Sequence, residues 1–382
     1  MKQFDFGTRS QARFGEGVRY ELTSLLPQDG SAQVLVVGSK SCLARDPLHD
    51  LLSELRRVCS VHLFTEVVPN PRVSDVDKCV ETFKDLSITH VVGVGGGSAL
   101  DQAKATAMAL SCGSSVTSLL ASKNELPARQ NKLYLMPTTS GTGAELSFGA
   151  ILTDSASGAK MGLRGAAQAA DVALVDPELT YSVPRLTSME TGFDVLTHAL
   201  ETYISNAASP YTADLSRLAL ERVFHWLPVL ALDLSNREAR RELSYASMMM
   251  GQTLALSTTC LPHRLQYPIG AATDTAHAAG LAAIYPAWLS HLIPHATEKL
   301  ANCARWIGIE PTDKTEDSLA KEFVRAILDL MCQIDFVPTL KDLGVSSEML
   351  ASFPAEVTGK LHTDPSYNGP TDIATIYQSA FG

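Results

Sequence analysis

A carboxylate and an imidazole, Asp194 and His198, stand four residues apart in a segment without proline whose apolar residues recur at helical spacing. On an α-helix, side chains four residues apart lie one above the other on the same face. In that arrangement the two groups can bind one divalent cation. An Asp–His pair on a helix surface is the alternative, because such pairs are common and weak when taken alone.

Two later histidines, His263 and His277, extend this pair to three imidazoles and one carboxylate. Such a set suits Fe(II) or Zn(II), whereas Mg and Ca prefer oxygen ligands. A catalytic site of this kind keeps one coordination position open, which a substrate oxygen can take. The four residues therefore predict a catalytic metal site.

A glycine-rich loop, Gly95-Gly96-Gly97-Ser98, follows an apolar run at 90–94 and precedes a helical segment at 99–110. Glycines at a strand-to-helix turn let the backbone approach a pyrophosphate, and the helix N-terminus beyond them offers free N–H groups. The spacing departs from G-x-G-x-x-G, because Ser98 stands where the last glycine would be. A plain tight turn is therefore the alternative.

A second polar loop at 137–145 follows another apolar run at 133–136 and contains four hydroxyls and two glycines. Hydroxyl groups and accessible backbone suit phosphates or a ribose, although a solvated loop is the alternative when this segment is taken alone. The carboxyl ends of the strands of an open α/β sheet meet at one crevice. The two loops together therefore predict a nucleotide site.

The order of the secondary-structure signals predicts two domains, which fits a length of 382 residues. Strand-like and helix-like segments alternate over 1–180, as in a parallel sheet with helices on both faces, and strand signals fade after 181. We expect an α/β dinucleotide-binding domain at 1–180 and an all-α helical domain at 181–382. The clearest predicted strands are 33–38, 60–64, 90–94 and 133–136, and the clearest helices of the second half are 188–205, 210–234, 238–256, 277–306 and 315–334.

Composition excludes several classes of function. A net charge of −10 argues against a nucleic-acid partner, which would require a basic face. The seven cysteines are scattered without a C-x-x-C pair, which argues against a disulfide framework and fits a reducing cytoplasm. No apolar stretch reaches the roughly 18 residues of a membrane span, and no signal peptide is visible. The composition predicts a cytoplasmic protein without a nucleic-acid or membrane partner.

These motifs, in this order, resemble the iron-containing (group III) alcohol dehydrogenase family over nearly the whole chain. The resemblance implies a Rossmann-like N-terminal domain, a helical metal-binding domain with the active-site cleft between them, as in the iron-containing alcohol dehydrogenase and dehydroquinate synthase-like fold, and a homodimer or larger homo-oligomer. The further markers that carry it are Phe14-Gly15, Asn70-Pro71, Asp101 with Lys104, the run from Asp176 to Thr180, and Asn368-Gly369-Pro370-Thr371.

The resemblance also assigns roles. Asp194, His198, His263 and His277 match the family's four metal ligands, which implies Fe(II), with Zn(II) or Mn(II) as alternatives. The activity implied is that of an NAD(P)-linked alcohol dehydrogenase or aldehyde reductase, with hydride transfer between a nicotinamide and a small aldehyde bound to the metal. The residues that the resemblance places at the cofactor are Gly38, Ser39, Lys40, Asn70, Gly95, Gly96, Gly97, Ser98, Asp101, Thr138, Thr139, Thr142, Lys160 and Leu179.

One departure from the family concerns the candidate catalytic residues, His263 and Tyr267. Most members carry another histidine four residues after the third ligand, where this chain has Tyr267. A tyrosine can donate or relay a proton, although its reference pKa of about 10 makes it a poor base at neutral pH. Packing with a satisfied hydroxyl is the alternative role.

A second departure concerns the choice of cofactor. NAD-specific relatives tend to carry an acidic residue at the end of the predicted strand 33–38, where it bonds the ribose 2′-hydroxyl. This chain has Gly38-Ser39-Lys40 there, which would accept a 2′-phosphate. We expect a slight preference for NADP(H) over NAD(H), unless Lys40 is simply solvated.

The substrate is open between two classes. Arg264 follows a ligand and Arg164 follows Lys160, so these arginines are candidates for binding an anionic aldehyde such as phosphonoacetaldehyde or sulfoacetaldehyde. However, a residue next to a ligand on a helix points about 100° away from it. A neutral short-chain aldehyde or alcohol is the alternative, and Leu254 occupies a pocket position that is often aromatic in the family.

Two rival functions belong to other classes. One is a lyase similar to dehydroquinate synthase, in which NAD is recycled within each turnover. The other is a non-catalytic nucleotide-binding protein, against which the complete set of metal ligands argues.

Overall fold

The computed structural model describes residues 4, 7, 9–122, 125–154, 156 and 158–382. The chain divides into two compact units, one spanning Gly7–Val183 and the other including Pro184–Gly382. The first is an α/β unit and the second is helical, so the predicted fold class is confirmed. None of the described helices is long and apolar enough to cross a bilayer.

The α/β unit is built on a six-stranded sheet in the order β1-β8-β5-β4-β2-β3, and all of its pairings are parallel. The central strands are almost continuous apolar runs, as expected where helices cover both faces of a parallel sheet. A separate antiparallel hairpin is formed by β6 and β7. The strands are β1 Gln11–Phe14, β2 Gln33–Val37, β3 Ser60–Phe64, β4 His90–Gly95, β5 Lys132–Pro137, β6 Gly149–Thr153, β7 Lys160–Arg164 and β8 Val172–Val175.

The helices around this sheet bury different amounts of their surface. Helix α3 is amphipathic and buries only one leucine stripe, whereas α5 is rich in alanine and is buried on nearly all sides. A side chain at Gly93 on β4 would lie 2.6 Å from Ala103 Cβ, so this glycine lets α5 pack closely against the sheet. The helices of this unit are α1 Leu22–Leu25, α2 Lys40–Leu43, α3 Leu48–Val58, α4 Val73–Phe83, α5 Gly97–Cys112 and α6 Val116–Ala121.

The strand order reverses between β2 and β4. The chain runs outward from β2 to β3 and then returns to the other side of β2 as β4, with β5 beyond. Val37 pairs with Gly93, and Gly95 pairs with Pro137, so the carboxyl ends of β2, β4 and β5 lie side by side. Ligands of open α/β sheets bind in the crevice at such a reversal.

Four strands of this unit were not predicted from the sequence. β1 and β8 have only four residues each, too few to show a period. The β6–β7 hairpin is half exposed and contains glycines and charged residues, so its alternation is weak. The tertiary structure, not local propensity, determines these elements.

The helical unit is organised around α7, whose residues from Gly192 to Ile204 are all buried against α8, α9 and α11. The five helices predicted for this half are confirmed within a few residues at each end. Helix α10 contains Pro262 and Pro268, which obscure its helical pattern, and it was not among them. The helices of this unit are α7 Arg185–Ile204, α8 Pro210–Leu232, α9 Arg237–Leu256, α10 Leu261–Thr273, α11 His277–Trp306, α12 Glu316–Gln333, α13 Ser347–Glu356 and α14 Pro370–Phe381.

Candidate metal and nucleotide sites

Three helices bring the four predicted metal ligands together. Helix α7 carries Asp194 and His198, α10 carries His263 in its first turn, and α11 begins at His277. The Oδ1 atom of Asp194 lies 3.8 Å from Nε2 of His198 and 4.0 Å from Nε2 of both His263 and His277. Asp194, His198 and His263 are buried, while His277 is the more accessible of the four.

These distances fit a shared cation. With metal–ligand bonds of about 2.1 Å, two ligands of one ion lie roughly 3.4 Å apart in a tetrahedral site and at most ~4.2 Å apart. The donor atoms of Asp194, His263 and His277 all lie within 4.8 Å of one another. His198 is close to this group because its Nε2 lies 3.8 Å from Oδ1 of Asp194. Nε2 of His263 is buried and has no hydrogen-bond partner among the described residues. Three imidazoles and a carboxylate at this spacing suit Fe(II) or Zn(II).

Hydrogen bonds from outside the set fix two of the imidazoles. Both carboxylate oxygens of Glu201 lie 2.9 Å from Nδ1 of His263, and Oε1 of Gln266 lies 2.7 Å from Nδ1 of His277. Since a carboxylate and an amide oxygen only accept, Nδ1 carries the hydrogen in each case. Each imidazole is therefore left with a lone pair on Nε2, the atom that faces Asp194.

The pKa values of the buried groups suit metal binding. Burial acts to raise the pKa of Asp194, but the nearby imidazoles outweigh it, and the pKa lies below its usual value. Burial, together with the neighbouring His198 and Arg264, holds the pKa of His263 well below its usual range. A carboxylate and a neutral imidazole, the forms that bind metals, are therefore the stable ones at neutral pH.

Arg264, Tyr267 and Thr258 form a polar group beside these ligands. Nη1 of Arg264 donates to the Tyr267 hydroxyl at 3.3 Å, and Nη2 donates to Thr258 Oγ1 at 3.2 Å. Arg264 is 8% exposed, and its Nε has no hydrogen-bond partner among the residues that the structure describes. The guanidinium is thus buried with neutral partners. Leu254 lies half-buried in the last turn of α9.

The two predicted phosphate loops are in contact. A side chain at Gly96 would lie 3.3 Å from Thr139 Oγ1, and one at Gly97 would lie 2.8 Å from Thr142 Cγ2. Gly96, the N-cap of α5, has no side chain that could accept a hydrogen bond from the first N–H groups of the helix. These N–H groups and the positive end of the helix dipole therefore remain available to an anion.

The residues after β2 lie at the same edge of the sheet as these loops. Ser39 caps α2, accepting a hydrogen bond from the Cys42 N–H at 3.3 Å, and Lys40 is exposed. A pocket of about 320 Å³ opens in this unit and is lined by Thr138 and Leu179, together with Cys42 and Arg45. The pocket thus includes two of the predicted cofactor residues.

The remaining predicted residues of this unit lie on or near the hairpin. Nζ of Lys160 donates to Asn70 Oδ1 at 2.8 Å, so these two residues are brought together. The Asp101 carboxylate accepts a hydrogen bond from the Ile151 N–H at 2.8 Å and lies 2.9 Å from Lys104 Nζ, which fastens β6 to α5. The role of Asp101 at the cofactor stays a prediction. Arg164 is exposed at the end of β7.

Sequence reasoning assigned no role to Glu201 or Gln266. The signal was present, because Glu201 follows His198 by three residues and Gln266 follows His263 by three, so each shares a helix face with a ligand. Thr258, Cys42 and Arg45 carry no comparable signal, because they reach their sites only through tertiary structure.

Comparison with known proteins identifies the family. Residues 10–177 match the model "Iron-containing alcohol dehydrogenase", and residues 188–381 match "Fe-containing alcohol dehydrogenase family, C-terminal". The chain belongs to the iron-containing alcohol dehydrogenase family, and the resemblance found in the sequence is confirmed. It is therefore an oxidoreductase acting on CH–OH groups.

Its relatives differ in the substrates for which they are named. Choline dehydrogenase of Bacillus subtilis (strain 168) is 31% identical over 86% of this chain and 81% of its own length. Long-chain-alcohol dehydrogenase 1 of Geobacillus thermodenitrificans (strain NG80-2) is 30% identical, covering 96% and 94%. The crystal structure of sulfoacetaldehyde reductase from Bifidobacterium kashiwanohense in complex with NAD+ has a TM-score of 0.89 at 27% identity, covering all of both chains.

A buried carboxylate, Glu145, ends the second phosphate loop. Burial raises its pKa to about 7, while its own backbone N–H and the charge of Lys104 act in the opposite direction. Lys104 is itself buried and donates to the Gly149 carbonyl at 2.6 Å. The folded α/β unit therefore favours the protonated form of Glu145 up to about neutral pH.

We predict that Glu145 makes the stability of the α/β unit depend on pH. Its pKa is higher in the folded state than the reference value of 4.5. Its contribution is therefore fully present below about 4.5 and is lost as pH rises through about 7. Relative to wild type, Glu145→Gln should gain about 3 kcal/mol in free energy of unfolding between pH 4.5 and pH 8.

Hydrogen exchange of peptides from β4 and β5, followed by mass spectrometry, measures this difference. All three tryptophans, Trp226, Trp288 and Trp306, belong to the helical unit, so their fluorescence would not report on the α/β unit. Glu125→Gln, which changes an exposed glutamate of the same unit, is the matched control. Parallel pH profiles for wild type and Glu145→Gln would contradict the prediction.

Proposed function

We propose that this chain is a metal-dependent, NAD(P)H-linked reductase of a small aldehyde, with Fe(II) as its metal. One observation carries the proposal: three imidazole Nε2 atoms lie 3.8–4.0 Å from a single oxygen of the buried Asp194. When bound, a divalent cation supplies Lewis acidity toward a carbonyl oxygen and a nicotinamide supplies hydride.

The chain's own residues hold and orient the reacting groups. Asp194, His198, His263 and His277 would hold the cation, with their positions fixed by three buried helices. The two touching loops and the open N-terminus of α5 would bind the pyrophosphate of the cofactor. The Tyr267 hydroxyl accepts a hydrogen bond from Arg264 and keeps its own proton, which it can donate to a product oxygen.

We further propose that the aldehyde carries an anionic group, as phosphonoacetaldehyde and sulfoacetaldehyde do. Arg264 supports this, because its hydrogen bonds go to two neutral hydroxyls and, among the described residues, it forms no ion pair. Burial raises the pKa of the neighbouring Glu201 carboxyl well above its usual value, and the charge of Arg264 acts against that rise. A buried guanidinium without a directly paired anion is costly, and a substrate phosphonate or sulfonate would offset that cost with charge-assisted hydrogen bonds.

A neutral short-chain alcohol or aldehyde is the second candidate. Relatives named for choline and for long-chain alcohols show that this family is not restricted to anionic substrates. The homodimer or larger oligomer expected from the family and the cytoplasmic location both remain predictions.

We predict that metal removal abolishes aldehyde-dependent NAD(P)H oxidation and that Fe(II) restores it. The rate should be measured anaerobically on chelator-treated protein, with Zn(II) and Mn(II) as the alternative metals. Mg(II) is the control, because it prefers oxygen ligands and should restore nothing. A rate unaffected by chelation would contradict the metal site. Aldehyde turnover with no net change in the cofactor would favour the lyase.

We predict that Arg264→Met lowers kcat/KM for phosphonoacetaldehyde and sulfoacetaldehyde by about 100-fold, as expected for a lost hydrogen bond to a charged group. The same variant should change kcat/KM for propanal by no more than about threefold, since propanal has no anion to bind. The same measurements on Arg164→Met show whether Arg164, the other candidate arginine, binds the anionic group. Equal losses on propanal and the anionic aldehydes would contradict the anionic substrate.

We predict that Ser39→Asp shifts the ratio of kcat/KM for NADPH to that for NADH at least about tenfold toward NADH, because a carboxylate repels a 2′-phosphate. Asp is a good N-cap, so α2 should be preserved. Ser115→Asp, the same change at the N-cap of α6, is the matched control. Since the sulfoacetaldehyde reductase relative was crystallised with NAD+, both cofactors must be measured in wild type. An unchanged ratio would contradict the preference for NADP(H).

A further inference from the structure

Glu201 is a fully buried carboxylate without a metal-ligand role of its own. It lies on α7, on the same helical face as Asp194 and His198, and its exposed fraction is 0%. Both of its oxygens lie 2.9 Å from Nδ1 of His263, and Oε2 also accepts the Cys260 N–H at 2.8 Å. Glu201 therefore connects the helix that supplies two ligands with the N-terminus of the helix that supplies the third.

The same arrangement is repeated between α10 and α11. Gln266 is buried on α10, three residues after His263, and its Oε1 lies 2.7 Å from Nδ1 of His277 on α11. Each of α7 and α10 thus carries a metal ligand and also the residue that orients the ligand on the next ligand-bearing helix, which is α10 for α7 and α11 for α10. The two orienting residues differ in charge, one being a carboxylate and the other an amide.

The number of donors that each residue meets explains this difference. Glu201 meets two N–H groups, those of His263 and Cys260, and a carboxylate can accept both. An amide at this position has only one accepting oxygen. If that oxygen stayed on Cys260, the amide NH₂ would face Nδ1 of His263 and move the imidazole hydrogen to Nε2. Gln266 meets one imidazole N–H in the bonds described above, so an amide suffices there.

We propose that Glu201 is a positioning residue for the metal, which keeps the hydrogen of His263 on Nδ1 and its Nε2 lone pair directed toward Asp194, and that Gln266 does the same for His277. The inference rests on the metal site of the proposed function. It goes beyond that function by assigning the residues that set how tightly the ligands hold the ion. Nε2 of His263, buried and without a hydrogen-bond partner among the described residues, is the atom that this arrangement keeps free.

The test is Co(II) binding to metal-free protein, measured by competition with a chelator and by the d–d absorption spectrum. We expect Glu201→Gln to weaken Co(II) binding about 10- to 100-fold, the usual range for such outer partners, and to change the spectrum. Glu242→Gln changes a half-buried carboxylate of the same helical unit that pairs with Arg222 and is the matched control, with unchanged Co(II) affinity. Gln266→Met, which replaces the amide oxygen by a sulfur that accepts only weakly, should weaken binding, whereas Gln266→Glu should retain it.

Thermal unfolding with and without Co(II) separates positioning from a purely structural role. A positioning role predicts that Glu201→Gln leaves the Tm of the metal-free protein unchanged, because the amide has nearly the size and shape of the carboxyl, while the increase in Tm on adding Co(II) shrinks. Wild-type affinity in both Glu201→Gln and Gln266→Met would overturn this inference and leave the proposed function standing. Failure of wild type itself to bind Co(II) would overturn both. If Glu201→Gln does not fold, Gln266→Met decides by the same measurements.

Discussion

The candidate site depends on a buried carboxylate that three imidazoles approach. Asp194 is 3% exposed, and a charge so buried is costly unless other groups compensate for it. Its nearest compensating groups are imidazoles, which burial keeps neutral in the case of His263. A divalent cation would supply the missing positive charge. Asp194 lies in the buried part of α7, where close packing holds side chains rigidly.

Hydrogen bonds between helices hold the metal ligands that the helical repeat alone does not position. Asp194 and His198 are positioned by the helical repeat alone, since both belong to α7. His263 lies on α10 and is held by Glu201 of α7, while His277 lies on α11 and is held by Gln266 of α10. Asp364 adds to this by accepting the Leu261 N–H at 2.9 Å, so a second carboxylate fixes the N-terminus of α10.

These two levels explain what the sequence could predict. The helix face of Asp194 and His198, the strand-to-helix glycine loop and the amphipathic helices are local patterns, and the fold class and family followed from them. The β6–β7 hairpin, the short edge strand β1 and helix α10 lack a clear period, so sequence reasoning missed them. His263, the partner of Glu201, and Ile151, the partner of Asp101, lie far away in the chain. No local spacing in the sequence identifies hydrogen bonds between such distant segments.

Arg264 shows that the direction of the Cα–Cβ bond does not by itself fix where a side chain's charge lies. A residue next to a ligand on a helix leaves the axis about 100° away from it, which argued against a shared site. Tyr267, however, follows His263 by one helical turn and therefore shares its face. Nη1 of Arg264 reaches the Tyr267 hydroxyl, because side chains three residues apart are neighbours on a helix and the arginine side chain is long. Backbone direction places the Cβ atom, but the reach of the side chain decides where its charge acts. For arginine the two differ enough to bring a cation to the face that carries a metal ligand.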